Sequence, residues 1–250
     1  MRLVRLYRHP VKGLSPEPLE AVSLVEGAHF PCDRLFALEN GPSGFDPGAP
    51  NHLPKIKFLM LMRNGALAGL ATRYDDAEKT LTIKRQGMLA VQGRLDRPEG
   101  RAAIENYLTA FLGEEIRGPV RLLAAPEGHR FMDSKSGFVS LVNLASVEAI
   151  AEAAGQAVDP LRFRANIHLT EMAPWAETEL VGKTLTLGGA KLEVLKMIDR
   201  CAATGVEPRT GVRDMDIVDI LRKSFGHIDC GVYAKVLEGG EVRVGDVARV

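Results

Sequence analysis

Apolar and polar residues alternate in short runs along much of this chain. Residues 2–7 alternate, with Leu3 and Leu6 breaking strict period two. Residues 19–25 and 35–38 read as further strands. Residues 80–84 alternate cleanly, Leu81 and Ile83 on one face and Thr80, Thr82 and Lys84 on the other. Two paired runs predict hairpins: 184–187 with 190–195 around Gly188-Gly189, and 232–237 with 241–244 around Gly239-Gly240. Helical spacing appears three times. Ile104, Leu108, Phe111 and Leu112 precede Gly113, Val147, Ile150, Ala151 and Ala154 precede Gly155, and Ile217, Val218, Leu221 and Phe225 precede Gly226. Many strands and few helices predict a mainly β (α+β) fold with barrel-like sheets rather than βαβ winding.

Two segments carry no period. Residues 40–54 hold four prolines and three glycines, too broken for a regular element, and residues 128–137 are polar and turn-rich. A boundary after the first helix, near Gly118, divides the chain into 1–117 and 118–250.

Composition narrows the function classes. Thirty-two basic residues balance thirty-two acidic ones, so no global field favours nucleic acid or an acidic membrane, and any anion site must be a local cluster. No apolar run approaches the roughly 20 residues of a membrane helix. The N-terminus reads as a strand rather than a secretory leader, which leads us to expect a cytoplasmic protein. The three cysteines, Cys32, Cys201 and Cys230, form no CxxC pair, which argues against zinc ribbons and dithiol redox motifs.

Cys201 stands out by its surroundings. It follows a predicted strand, 191–196, and small residues after it leave room for a bulky ligand. Arg200 and Arg209 flank it in sequence, and positive charge near a thiol favours the thiolate, the form that binds metals. The residues alone leave two readings open: an inert small hydrophobe, or a reactive or ligating thiol. Cys32 and Cys230 read as structural. Arg162 and Arg164 are predicted to share one strand face, with Phe163 opposite, and two guanidinium forks suit a phosphate or carboxylate.

Together these segments resemble the MOSC family, named for the C-terminal domain of molybdenum cofactor sulfurases. The resemblance rests on Pro10-Val11-Lys12, on Gly27 through Asp33-Arg34, on Arg162-Phe163-Arg164-Ala165-Asn166-Ile167, and on Arg200-Cys201 through Val206-Glu207-Pro208-Arg209-Thr210-Gly211. It is nearest to the two-part branch that includes mitochondrial amidoxime-reducing proteins and their bacterial relatives. This chain departs from that pattern at Gly13, Ala165, Glu207 and Asp199, where relatives usually carry serine, proline, aspartate and a small polar residue.

The resemblance implies an N-terminal β-barrel-like domain packed on a MOSC β-barrel with a few short helices. It implies a molybdenum cofactor, with Cys201 as catalytic thiolate ligand to the metal. Lys12, Arg34, Arg164 and Arg200 would surround the cofactor, Asn166 would read the pterin, and Ser146 would meet the phosphate at a helix start. The implied activity is reduction of small N-hydroxylated substrates with electrons from a separate donor protein. His129 and His52 are candidate proton donors, set against the ordinary reading of each as a surface histidine. The alternative is a sulfur carrier with a persulfide on Cys201. Pyridoxal phosphate is not expected, and neither nucleic acid nor membrane is an expected partner.

Overall fold

The computed structural model describes residues 1–250. In chain order its strands are β1 (Arg2–Arg8), β2 (Glu17–Leu19), β3 (Ala21–Leu24), β4 (Phe36–Leu38), β5 (Leu70–Asp75), β6 (Thr80–Arg85) and β7 (Met88–Arg94). Helix α1 (Pro98–Leu112), β8 (Leu122–Ala124), β9 (Val139–Asn143), α2 (Leu144–Ala154) and β10 (Ile167–Thr170) follow. The chain ends with β11 (Thr184–Leu187), β12 (Ala190–Asp199), α3 (Ile217–Phe225), β13 (Asp229–Glu238), β14 (Gly240–Arg243) and β15 (Ala248–Arg249). The fold is mainly β, and its helices end at Gly113, Gly155 and Gly226 as the glycine stops predict. No helix is long and apolar enough to cross a membrane.

The largest sheet runs β15-β11-β12-β13-β9-β10-β1-β2. Its ends meet. Leu3 N–H donates to Asp246 O at 2.9 Å, Gly245 N–H to Leu3 O at 2.8 Å, and Ala248 N–H to Met1 O at 2.9 Å. β1 therefore closes a curled sheet to which the N-terminal half contributes β1 and β2 and the C-terminal half the other six strands. Leu3, Leu6, Leu141, Ile167, Leu192 and Val232 fill its interior. A second core collects Val11, Leu38, Leu70, Ile83, Ile104 and Leu108 around the β5-β6-β7 sheet and α1. Hydrogen bonding does not divide at Gly118: β1 and β2 lie in the C-terminal sheet, β3 pairs with β14, and β8 pairs with β4.

Four expectations require correction. The hairpin at Gly188-Gly189 forms, β11 against β12, but the one at Gly239-Gly240 does not. β13 pairs with β12 and β9, whereas β14 crosses to β3. A Cβ on Gly239 would meet Leu24 O at 2.8 Å, and one on Gly240 would collide with Gly189 O. These glycines serve a close crossing of backbones rather than a positive-φ turn.

The run 19–25 splits at Glu20 into β2 and β3, which enter different sheets. One βαβ unit also exists, since β9 and β10 are parallel neighbours joined across α2.

Arg162 and Arg164 share no strand face. Residues 160–163 form a 3-10 turn, started by Asp159, whose carboxylate accepts Leu161 N–H at 2.9 Å, and by Pro160 at its first position. Arg164 ends the turn in the left-handed region, at φ 52°. Local capping chemistry overrode the alternation on which the strand reading stood.

Candidate functional site: a cationic cavity beside Cys201

The chain places Cys201 just past β12, in extended backbone at φ −126° and ψ 173°. Its carbonyl accepts Thr204 N–H at 3.0 Å and Thr204 Oγ1 at 2.9 Å, which tightens the following turn. Beyond that turn the loop is bolted to the other core. Arg213 Nη2 donates to Leu61 O at 3.2 Å and Met62 O at 3.0 Å. Gly211, at φ 76°, lies where a Cβ would meet Gly65 O at 2.7 Å. Cys201 is thereby held at the junction of the two cores, half-buried, on a cavity of about 180 Å³.

Cations dominate the walls: Lys12, Arg34 and Lys55 from the N-terminal half, and Arg162, Arg164 and Arg200 from the C-terminal half. Asp133 and Asp199 are the acids among the lining residues, and Met60, Met62, Met132 and Tyr233 supply apolar surface.

Each cation is held differently. Arg200 is a tie rather than a free donor. Its Nε donates to Cys230 O at 2.7 Å and its Nη1 to Phe163 O at 2.8 Å. Arg34 bonds Asp33, faces His9 Nδ1 at 3.1 Å, and donates to Arg164 O at 3.1 Å. Burial raises the Asp33 carboxyl, but Arg34 and then His9 more than offset this and hold it well below the carboxylate range. Arg162 pairs with Asp214 at 2.7 Å, and its buried Nε has no partner.

Arg164 differs from these. It donates to Leu14 O at 2.8 Å and has no carboxylate partner. Burial, and then the charge of Arg34, lowers its pKa to about 9, so it remains protonated at neutral pH. A partly buried guanidinium with no carboxylate in direct contact, only the more distant charges of Asp33 and Asp133, is a seat for an anion.

Lys12 is buried, with Nζ donating to Phe131 O at 2.9 Å and to the Asp133 carboxylate. Lys55, unmarked in the sequence, follows the long loop in a one-turn 3-10 segment and lines the same cavity as Cys201. Burial opposes its charge, but Cys201 and then Asp133 outweigh burial and raise its pKa.

Two residues named by the resemblance lie elsewhere. Ser146 is fully buried away from the cavity, its hydroxyl donating to Glu177 at 2.8 Å and accepting Trp175 N–H at 2.8 Å. Asn166 is also fully buried. Its Oδ1 accepts Ser140 Oγ at 2.8 Å and its Nδ2 donates to Tyr7 O at 3.1 Å, so the amide braces β1 against β9. Arg209 turns outward to Asp159 at 3.4 Å, and neither His52 nor His129 lines the cavity. Cys230 is inert: burial pushes its thiol up to about 12.

No group of three or more His, Cys, Asp or Glu side chains is arranged to hold a metal ion. A metal beside Cys201 would need ligands carried by another molecule. A single thiol in one cavity with a guanidinium that no carboxylate contacts suits a metal bound within an anionic organic ligand.

A mainly β protein with a thiol at the junction of two cores is the class that fold and site define. Family models bear on that class directly. The MOSC N-terminal beta barrel domain matches residues 1–116, and the MOSC domain matches residues 128–249. The chain belongs to the two-part MOSC domain family. Solved structures similar to it include the YuaD protein from Bacillus subtilis, 14% identical, with a TM-score of 0.46 over 99% of this chain and 93% of that one. Another is YiiM from Geobacillus stearothermophilus, 16% identical, with a TM-score of 0.38 over 51% of this chain and 65% of that one. No curated protein matches the chain.

Proposed function

We propose that this chain binds a molybdenum–pterin cofactor in the cavity between its two cores and reduces N-hydroxylated compounds, taking electrons from a separate donor protein. The observation that carries this reading is the coincidence, in one cavity, of the half-buried Cys201 and the Arg164 guanidinium that no carboxylate contacts. The residues fit the group. Cys201 supplies one soft sulfur donor, which suits a metal already bound by sulfur. Arg164 and the unpartnered Nε of Arg162 offer donors to an anionic phosphate. When bound, the cofactor would supply the two-electron chemistry that the side chains lack.

The chain's own part is positioning and charge. Arg200 fixes the end of β12, so Cys201 is presented at one place on the cavity wall. Arg34 holds the Arg164 carbonyl and so the turn that carries the Arg164 guanidinium. Met60, Met62, Met132 and Tyr233 give the cavity apolar surface against which an uncharged substrate would rest. The net reaction, R–NH–OH with two electrons and two protons giving R–NH2 and water, is balanced by the donor and by solvent protons.

The test is molybdenum and oxidised-pterin content of protein purified from cofactor-competent cells. Near-stoichiometric values are expected, together with reduction of an amidoxime by an artificial electron donor. Arg164→Ala is expected to weaken cofactor retention by about 1.5–3 kcal/mol, one charged hydrogen bond. Absence of both metal and pterin after reconstitution would overturn the reading.

A second reading follows from Lys55 beside Cys201. An ammonium there would stabilise a persulfide anion, and the chain would then carry sulfur rather than electrons. Cyanide-labile sulfur on protein free of pterin would select it.

A further inference from the structure

Asp133 occupies an unusual place for a carboxylate. Loss of hydration at the cavity edge pushes its carboxyl up, but Lys12, then Lys55 and Arg34, more than offset this and hold it below its ordinary value. Lys12 contacts it directly and Lys55 and Arg34 line the same cavity, so it sits in a field that favours an anion.

The two partners in the Lys12–Asp133 pair are not held equally. The Lys12 side chain is 9% exposed and that of Asp133 is 51% exposed. Lys12 N–H donates to Phe36 O at 2.8 Å, next to a parallel bridge between Val11 and Phe36, and its Nζ lies 5.9 Å from the Phe58 ring. Asp133 belongs to an irregular segment bounded by Gly128, at φ 74°, and Gly137. Phe131 anchors that segment to the N-terminal half, its N–H on Arg34 O at 3.1 Å. If one partner leaves, it is the acid.

We propose that Asp133 is an internal anion that holds Lys12 in the ligand-free protein, and that a polyvalent anion enters the cavity by displacing it. This rests on the reading of the cavity as an anion site and adds how that site is guarded. The exchange favours a polyvalent ligand. Asp133 contacts Lys12 and reaches Arg164 only as a more distant charge, whereas an oxyanion with several charged oxygens can contact both. A monovalent anion replaces one carboxylate by one charge and gains nothing. Displacement would loosen the stretch after the Phe131 anchor, residues 132–134, which lines the cavity.

The probe is inorganic pyrophosphate, with affinity measured by calorimetry on the full chain. Asp133→Asn should bind it at least tenfold more tightly than the parent. Asp199→Asn, which removes another acid from the same cavity, should gain less than threefold, the effect of the general field alone. Hydrogen exchange in a peptide covering residues 131–136 should rise when pyrophosphate binds the parent and stay level in Asp133→Asn.

Equal gains in the two variants, weaker binding in Asp133→Asn, or unchanged exchange in the parent would each overturn the proposal. If Asp133→Asn fails to fold, the exchange measurement on the parent decides alone. Pyrophosphate binding to neither protein would overturn both this proposal and the anion site. Protein that lacks molybdenum yet shows the displacement would keep the guard and remove the cofactor assignment.

Discussion

The Arg200 guanidinium is bound to the main chain of Cys230, its Nε donating to that carbonyl at 2.7 Å. One cysteine's backbone thus helps set the position of another cysteine's side chain, because Arg200 immediately precedes Cys201. The packing around this tie is close. Gly231, at φ 80°, faces Leu141 O, and a Cβ there would lie 3.1 Å from Arg200 Nη2.

Arg200→Ala leaves the carbonyls of Cys230 and Phe163 without this donor, in a site where Arg200 is 9% exposed. Each unsatisfied buried group costs about 1–3 kcal/mol. We expect a loss of that order or twice it in chemical denaturation, together with a changed alkylation rate at Cys201. A variant with unaltered stability and alkylation would show that Arg200 does not set the site.

Cys201 and Cys230 should separate chemically. At pH 8 iodoacetamide is expected to modify Cys201 in the folded protein and spare Cys230, which is fully buried with its thiol raised to about 12. Cys201→Ala should abolish molybdenum retention with little change in melting temperature. Cys230→Ala should retain the metal and lose about 1–2 kcal/mol of stability through the space left in the core. Retained metal in Cys201→Ala would remove that residue as the ligand.

Asn166→Ala should act on the fold rather than on the ligand. It removes the acceptor of the Ser140 N–H and hydroxyl and a donor to the Tyr7 carbonyl in a fully buried place, at about 2–4 kcal/mol for the three together. Cofactor content per folded molecule should match the parent. A fall in that ratio with stability unchanged would return Asn166 to the pterin.

Acid should destabilise the protein through His168. This residue is 2% exposed, and burial lowers its pKa from 6.5 to about 4. Between those values the unfolded chain holds a proton that the folded chain does not. Stability is therefore complete above about pH 6.5 and declines as pH falls toward about 4, by at most about 1.4 kcal/mol per pH unit from this group. His168→Phe keeps a ring against Tyr7, whose centroid is 5.0 Å away, and should flatten the decline measured by urea unfolding. An unchanged slope would mean that His168 titrates normally.

The legible parts of the site were those whose signal is local. Cys201 stands out in sequence because a strand, small residues and arginine surround it, Arg164 is named by the family resemblance, and the structure brings both to one cavity. Lys55 had no such signal. It is one lysine after a proline-rich loop, and its place beside Cys201 exists only once the loop has folded back. Asp133 likewise shows its role only beside Lys12, 121 residues away in the chain.

Alternation and glycine stops were enough to determine a mainly β chain with three helices, because those signals depend on neighbours within a few residues. Whether a strand closes a sheet depends on which edge is free at a distance. For that reason only the tertiary structure decided that β1 seals the C-terminal barrel and that β14 leaves β13 for β3. The same holds for polar side chains. A sequence shows that Ser146, Asn166 and Arg200 can donate. Long-range packing decides whether those donors meet a ligand or, as here, the protein's own oxygens.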